Sequence, residues 1–295
     1  MATLTKTVPV DRVRNKSTAA VIWIILRYLL IIAISVIMFM PFVLATLGTF
    51  KSNSEILAYP PTFLPAQWLW SNWVTVWQTS LGGGGTFPRW LFNTAFLAVS
   101  VAGSEVVFSS MAAYAFSRMN FFGRNFIFNF MLGTMMIPAA LTLIPAYVLM
   151  TKLHMINTYW ALILPMAVQA AAIFMLTQFF RSIPKDLEEA AVMDGATHMQ
   201  VYRSVVLPLA RPALLTVLIL QFQGMWNQFL QPLLYLNSPN MYVLNVALSI
   251  FQQEYKAQWN LTLVGAMFNA IPVLILFFIF SKYYIQGVAY VGVKG

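Results

Sequence analysis

The chain has 295 residues, enough for one large domain or two small ones, yet only 8% are charged, 60% are apolar and the mean hydropathy is +0.74. Soluble domains carry about 25% charged residues, so this composition excludes an ordinary soluble protein and points to a membrane protein. The net charge of +9 raises nucleic acid as a partner, but its placement along the chain argues otherwise, and the absence of cysteine removes disulfides and thiol chemistry without fixing a compartment.

A helix needs about 20 apolar residues to cross a hydrocarbon core of about 30 Å. Such runs lie near residues 20–47, 90–116, 126–150, 159–180, 212–236 and 261–285, which predicts an all-α, polytopic membrane protein with six transmembrane helices. The first run follows a basic leader, residues 1–19, with Lys6, Arg12, Arg14 and Lys16. It is apolar from Ala19 to Leu47, too long for the apolar region of a secretory signal, and is expected as an uncleaved first span. If the leader, the 117–125 loop, the 181–211 segment and the C-terminus share one side, only Lys51, Arg89, Lys152 and Lys256 of the 17 Lys and Arg lie on the other. That asymmetry follows the positive-inside rule with both termini cytoplasmic, so the basic excess is topology rather than a nucleic-acid surface.

The loop after the first span, roughly 48–88, carries Trp68, Trp70, Trp73 and Trp77 at near-helical spacing. They are expected as an interfacial aromatic belt in preference to a docking surface for an external partner. "LGGGGTFPRW" (81–90) lacks the Gly-Lys-Ser/Thr ending and the preceding strand of a phosphate-binding loop, and reads as a flexible connector. Glu105 sits near the centre of the second span. An intramembrane carboxylate usually faces the bundle interior or a cavity, which leaves open a substrate contact, a proton site, or a protonated side chain holding a neighbouring helix. Prolines 138, 145, 165, 212, 232 and 272 lie in or at the ends of spans, where they either kink helices for packing or bend them around a solute path. The fifth span crowds Gln221, Gln223, Trp226, Asn227, Gln228 and Gln231. His154 and His198 are isolated; no metal spacing, nucleotide loop or nucleophile elbow is present, and an enzyme is not expected.

The segment 184–208 stands apart. Asp186, Glu188, Glu189 and Asp194 are half of the eight acidic residues of the chain. Asp186 with Glu189 three residues on spells a capping box, Gly195 suits a left-handed helix end, and Thr197 with Gln200 starts a second helix. Leu187, Ala190 and Ala191 then share one face of a helix–turn–helix knob whose carboxylates suit a basic partner. The alternative is that Glu189 caps its own helix and Glu188 is merely solvated.

The full pattern "EAAVMDGATHMQVYRSVVLP" (189–208) resembles the EAA motif of binding-protein-dependent ATP-binding-cassette importer permeases. Glu189, Ala190, Ala191, Gly195, Leu207 and Pro208 match at the family's spacing, with Val205 in place of isoleucine. "AAYAFSRMNFFGR" (112–124), "IPAALTLIPAYVLMTKLHMINTYWALILP" (137–165), "WNQFLQPLLYL" (226–236) and "VGVKG" (291–295) resemble recurring segments of the carbohydrate-uptake permeases of the maltose-permease type. The likeness covers essentially everything after residue 20, departing at His154-Met155 and at Gln228.

This resemblance implies a leader (1–19), an importer transmembrane domain (20–285) with its coupling loop at about 184–208, and a cytoplasmic tail (286–295). It further implies a bacterial inner-membrane subunit paired with a second, similar permease, two cytoplasmic ATPases and an external solute-binding protein. ATP and magnesium then belong to the ATPases, with no cofactor on this chain. Glu189, Ala190, Ala191, Gly195, Leu207 and Pro208 are the expected coupling residues, and Gly292, Lys294 and Gly295 the expected ATPase-contacting tail. For a sugar cargo, rings that stack on sugar faces and amides that bond hydroxyls are wanted, which makes Trp226, Asn227, Gln223, Gln221 and Glu105 the substrate-path candidates. The alternatives are the same architecture carrying another polar solute (an acidic oligosaccharide, a glycerol phosphate, a polyol), or a proton-coupled secondary transporter built on Glu105, which calls for inverted repeats that are not detectable here.

Overall fold

Apolar runs broken by proline and glycine divide the chain into helices almost throughout. The computed structural model describes residues 18–254 and 258–292. In chain order the helices are α1 (Thr18–Gly48), α2 (Asn53–Ile56), α3 (Ser71–Trp77), α4 (Phe87–Arg118), α5 (Arg124–Thr134), α6 (Ala139–Lys152), α7 (Trp160–Met166) and α8 (Ala170–Ser182). Then come α9 (Asp186–Met193), α10 (His198–Val201), a π-helical turn (Tyr202–Val206), α11 (Leu207–Leu209), α12 (Arg211–Trp226), α13 (Leu230–Tyr235), a 3₁₀ turn (Pro239–Met241), α14 (Leu244–Glu254) and α15 (Trp259–Gly292).

Four helical stretches are long and apolar enough to cross a membrane: Ile22–Gly48, Phe87–Arg118, Trp160–Ser182 and Trp259–Phe280. Two bent pairs qualify when each is taken together, α5 with α6 at 101° and His198–Leu209 with α12 at 77°. The expected run 126–150 is therefore two helices, parted just before Pro138, which takes the N-cap position of α6. The expected run 212–236 is also corrected. α12 ends at Trp226, and Asn227 turns its Nδ2 back to the Gln223 carbonyl at 2.9 Å. Pro232 has no N–H to continue the ladder, so α13 is a separate short helix.

The centre of the bundle is α4, which packs along α8 and α12. Its outer half supplies Leu97, Ala98 and Val101 to a core shared with Ala161, Leu162 and Trp226. Its inner half supplies Ala113 and Tyr114 to a second core with Leu176, Phe180, Tyr202 and Val206. A third cluster joins Phe87 and Trp90 to Leu244, Phe251 and Leu261. Residues 22–44 of α1 are exposed throughout.

Two expectations about the first loop change. Trp73 and Trp77 both lie against Phe268 of α15, at ring separations of 5.0 and 5.7 Å, while Trp68 and Trp70 rest on Phe50. The four tryptophans therefore make packing contacts as well as facing out: Trp68, Trp70 and Trp77 remain exposed, and Trp73 is half-buried. The glycine run forms a closed turn, not a featureless connector. Leu81 N–H bonds the Gly85 carbonyl at 2.9 Å, Ser80 bridges Thr86, and Gly82, Gly83 and Gly84 all take positive φ, the region glycine enters without a Cβ penalty.

Candidate functional site

The loop between α8 and α12 is built by ordinary local chemistry. Ile183 is extended, at φ −74° and ψ 127°, as a residue before proline prefers, so α8 stops before Pro184. α9 then begins at Asp186 with Lys185 at its N-cap and no side-chain cap. The expected capping box from Asp186 to Glu189 is absent, because Asp186 is already helical. Asp186, Glu188 and Glu189 instead place three carboxylates in the first turn, where they complement the positive end of the helix dipole.

The two adjacent glutamates have opposite fates. Glu189 is exposed, whereas Glu188 is buried, with its Oε1 2.5 Å from Arg118 Nε. The solvated reading of Glu188 is thereby overturned. Ala191 is half-buried against the inner core while Ala190 and Met193 face out, so Ala190 and Ala191 do not share one face as expected.

At the other end of α9, Gly195 takes φ +83°. Its N–H bonds the Val192 carbonyl at 2.9 Å and the Ala196 N–H bonds the Ala191 carbonyl at 3.0 Å, the paired closure of a Schellman motif. Thr197 and Gln200 form the expected reciprocal capping box of α10. The π turn follows because Pro208 has no N–H for the Ser204 carbonyl; the Leu207 N–H reaches back to the Tyr202 carbonyl instead. Leu207 packs on the inner core and Pro208 is exposed. Glu189, Ala190, Ala191, Gly195, Leu207 and Pro208 thus lie on one compact knob that ends at the 77° bend into α12.

Of the proposed tail, Gly292 is the last residue of α15, and Lys294 and Gly295 lie outside the described residues. The substrate-path candidates are dispersed. Trp226 is 2% exposed, its Nε1–H donates to the Asn269 carbonyl at 3.0 Å, and its ring stacks on Phe222. Asn227 is exposed, Gln221 and Gln223 are half-buried, and Glu105 is buried with Oε2 lacking a hydrogen-bond partner. A cavity of about 510 Å³ lies instead among Phe96, Ser100, Asn157, Thr158, Tyr159 and Trp160, and none of the five candidates lines it. Among the described residues no three His, Asp or Glu side chains gather as metal ligands.

Four residues escaped the sequence reading. Arg118 joins Glu188, and Tyr202 OH meets Ser110 Oγ at 2.7 Å. Asn157 pins the loop after α6 to the end of α13, its Oδ1 accepting from the Asn237 and Ser238 N–H groups at 2.9 and 3.0 Å. Asn157 sits at φ 61°, a conformation in which asparagine is enriched, and that local signal was available.

The described residues thus form an almost wholly helical protein with four, or up to six, segments long and apolar enough to cross a membrane, and a compact, carboxylate-bearing loop beside its central helix. Residues 105–290 match the family described as binding-protein-dependent transport system inner membrane component, and the chain belongs to that family. It is therefore a transport subunit and not an enzyme, and the stand-alone proton-coupled reading loses its support. The chain is 33% identical over 276 residues to the arabinooligosaccharides transport system permease protein AraQ of Halalkalibacterium halodurans, covering 92% of this chain and 98% of that one. It is 30% identical over 260 residues to the sn-glycerol-3-phosphate transport system permease protein UgpE of Pectobacterium atrosepticum, covering 87% and 91%. A chain in the crystal structure of a bacterial ABC transporter involved in import of the acidic polysaccharide alginate superposes with a TM-score of 0.77 at 25% identity, covering 91% of this chain and 98% of that one.

Proposed function

We propose that this chain is one of two similar permease subunits of an ATP-driven importer, which receives a sugar or oligosaccharide from an external solute-binding protein and passes it across a bacterial cytoplasmic membrane. Its α9 docks on one of two ATPase subunits, which hold the ATP and magnesium. The observation that carries this reading is the exposed Glu189 beside the inward-turned Glu188 on a knob whose turn between α9 and α10 is closed by the Gly195 and Ala196 N–H groups and the Thr197–Gln200 box. One carboxylate is free for a basic partner while the knob is held to the bundle.

The chain crosses the membrane six times with both termini cytoplasmic. Counting each bent pair as one span supports the number. The outer end of α1 meets the start of α15, with Gly48 against Leu263 and the Trp259 N–H bonding Asn53 Oδ1 at 2.8 Å, which supports a shared side for the two far ends. The distribution of Lys and Arg assigns that side to the cytoplasm. Arabinooligosaccharide and alginate systems among the similar proteins favour a saccharide cargo. The glycerol-phosphate relative keeps another polar solute as the alternative, and binding measurements on the cognate solute-binding protein separate the two.

The test is a detergent pull-down of the tagged chain from its native membrane, wild type beside Glu189→Lys. Wild type brings down an ATPase and a second permease, and the charge reversal reduces ATPase recovery by about tenfold, in the range of a lost interfacial charge contact. Equal ATPase recovery from both, or none from wild type after mild crosslinking, refutes the docking role.

A further inference from the structure

Arg118 is the last residue of α4, and its Nε and Nη2 donors are spent inside this chain. Nε donates to Glu188 Oε1 at 2.5 Å, and Nη2 donates to the carbonyls of Phe180 and Ile183 at 2.7 and 2.8 Å. Those carbonyls close the C-terminal end of α8, where a helix presents unpaired acceptors and partial negative charge. One side chain therefore ties the end of α4 to the end of α8 and to the first turn of α9. The side chains of Arg118 and Glu188 are 7% and 11% exposed, so removing either strands the other as a buried charge.

The same stripe of α4 holds the second arm of the loop. Ser110, Tyr114 and Arg118 recur every four residues and share one face. Ser110 Oγ hydrogen-bonds Tyr202 OH, and the Tyr114 and Tyr202 rings lie 5.1 Å apart. The first arm is thus clamped through Glu188 and the returning arm through Tyr202, both onto the helix that packs along α8 and α12.

We propose that Arg118 is a positioning residue for transport: through Glu188 it makes α9 rigid with α4 and α8, so that movement delivered to the Glu189 face reaches the bundle instead of flexing the loop. The inference rests on the permease reading above and assigns the two neighbouring glutamates separate tasks. Glu188 faces its own subunit and Glu189 faces the partner. A loop held by backbone hinges alone needs no such buried ion pair, and an α9 free to rock on Pro184 and Gly195 dissipates the stroke.

The experiment uses the whole importer reconstituted with its solute-binding protein. It measures, per assembled complex, the ratio of ATP hydrolysis with the loaded binding protein to hydrolysis without it, alongside solute uptake. Variants are Arg118→Met, Arg118→Lys, Glu188→Gln, the double variant Arg118→Met with Glu188→Gln, and Glu189→Lys as a control. We expect Arg118→Met and Glu188→Gln to assemble but to lower the ratio about tenfold, with uptake falling alongside, as for loss of a typical coupling free energy. The double variant is expected to fall no more than about twofold below the worse single variant, the non-additivity of a direct pair in a double-mutant cycle. Losses that track only the amount of assembled complex, or single-variant losses that multiply in full in the double variant, overturn the proposal.

If Arg118→Met fails to accumulate, the chain's lack of cysteine makes Met193→Cys a unique spin-label site on the exposed end of α9. Label mobility rises in Glu188→Gln and Arg118→Lys if the clamp fixes α9, and unchanged mobility in both overturns it. Glu189→Lys keeps the two ideas apart. If it leaves the ratio and ATPase recovery at wild-type values, the docking reading fails; if it uncouples while the Arg118 and Glu188 variants do not, only the clamp fails.

Discussion

Gly195 stands at φ +83° with no atom within 4 Å of where a Cβ would be. Space is not the constraint there; the left-handed backbone is, and an L-residue with a Cβ pays about 1–2 kcal/mol for it. Gly195→Ala is therefore expected to speed amide hydrogen exchange at Gly195 and Ala196, the two donors that close α9, by about tenfold. Gly195→Asn, which tolerates this region, is expected to change it less. Equal rates in all three chains contradict the assignment of the closure to backbone conformation. Glu188 and Glu189 teach a related lesson at the same scale. Consecutive helical residues differ by about 100° around the axis, so one identical side chain reaches Arg118 while its neighbour reaches out of the subunit.

At the level of elements, the connections are as structured as the helices. Gly85 lets the turn after α3 sit on the 3₁₀ turn at Pro239; a Cβ at Gly85 would lie 2.7 Å from the Pro239 carbonyl oxygen, a backbone atom that cannot rotate away. Gly85→Ala is expected to destabilise the protein by about 1–3 kcal/mol, the usual cost of overpacking, read as a lower melting temperature in detergent with no change in ATPase recovery. An unchanged melting temperature means that the two turns separate readily. Near the opposite end of the bundle, the π turn and the 77° bend both follow from prolines, Pro208 and Pro212, flanking Ala210. They turn the chain from the returning arm of the loop into α12.

Across the whole molecule, one of the side chains expected on a solute path also belongs to a core. Trp226 was expected on the path, yet it fills the outer core and spends its indole N–H on Asn269. Trp226→Phe is expected to destabilise the protein by about 1–2 kcal/mol, through loss of that hydrogen bond, and to leave solute preference unchanged. A shifted preference, measured by competition for uptake, returns Trp226 to the path. Glu105, buried with one carboxylate oxygen that has no hydrogen-bond partner among the described residues, lies on the helix that also ends in Arg118.

The sequence by itself determined the membrane class, the approximate position of each apolar run, and the loop at 184–208 with its Gly195 closure and its Thr197–Gln200 box, because these depend on composition, on local periodicity and on contacts between residues three to six apart. Its motif also carried the family, through residues spaced within a single segment. The tertiary structure alone decided which glutamate turns inward, that Arg118 receives it from 70 residues away, that Trp226 packs in a core, and that the glycine run closes against Pro239. Each of those depends on which helix faces which, a relation between distant segments that local propensity does not encode and that only the packed bundle fixes.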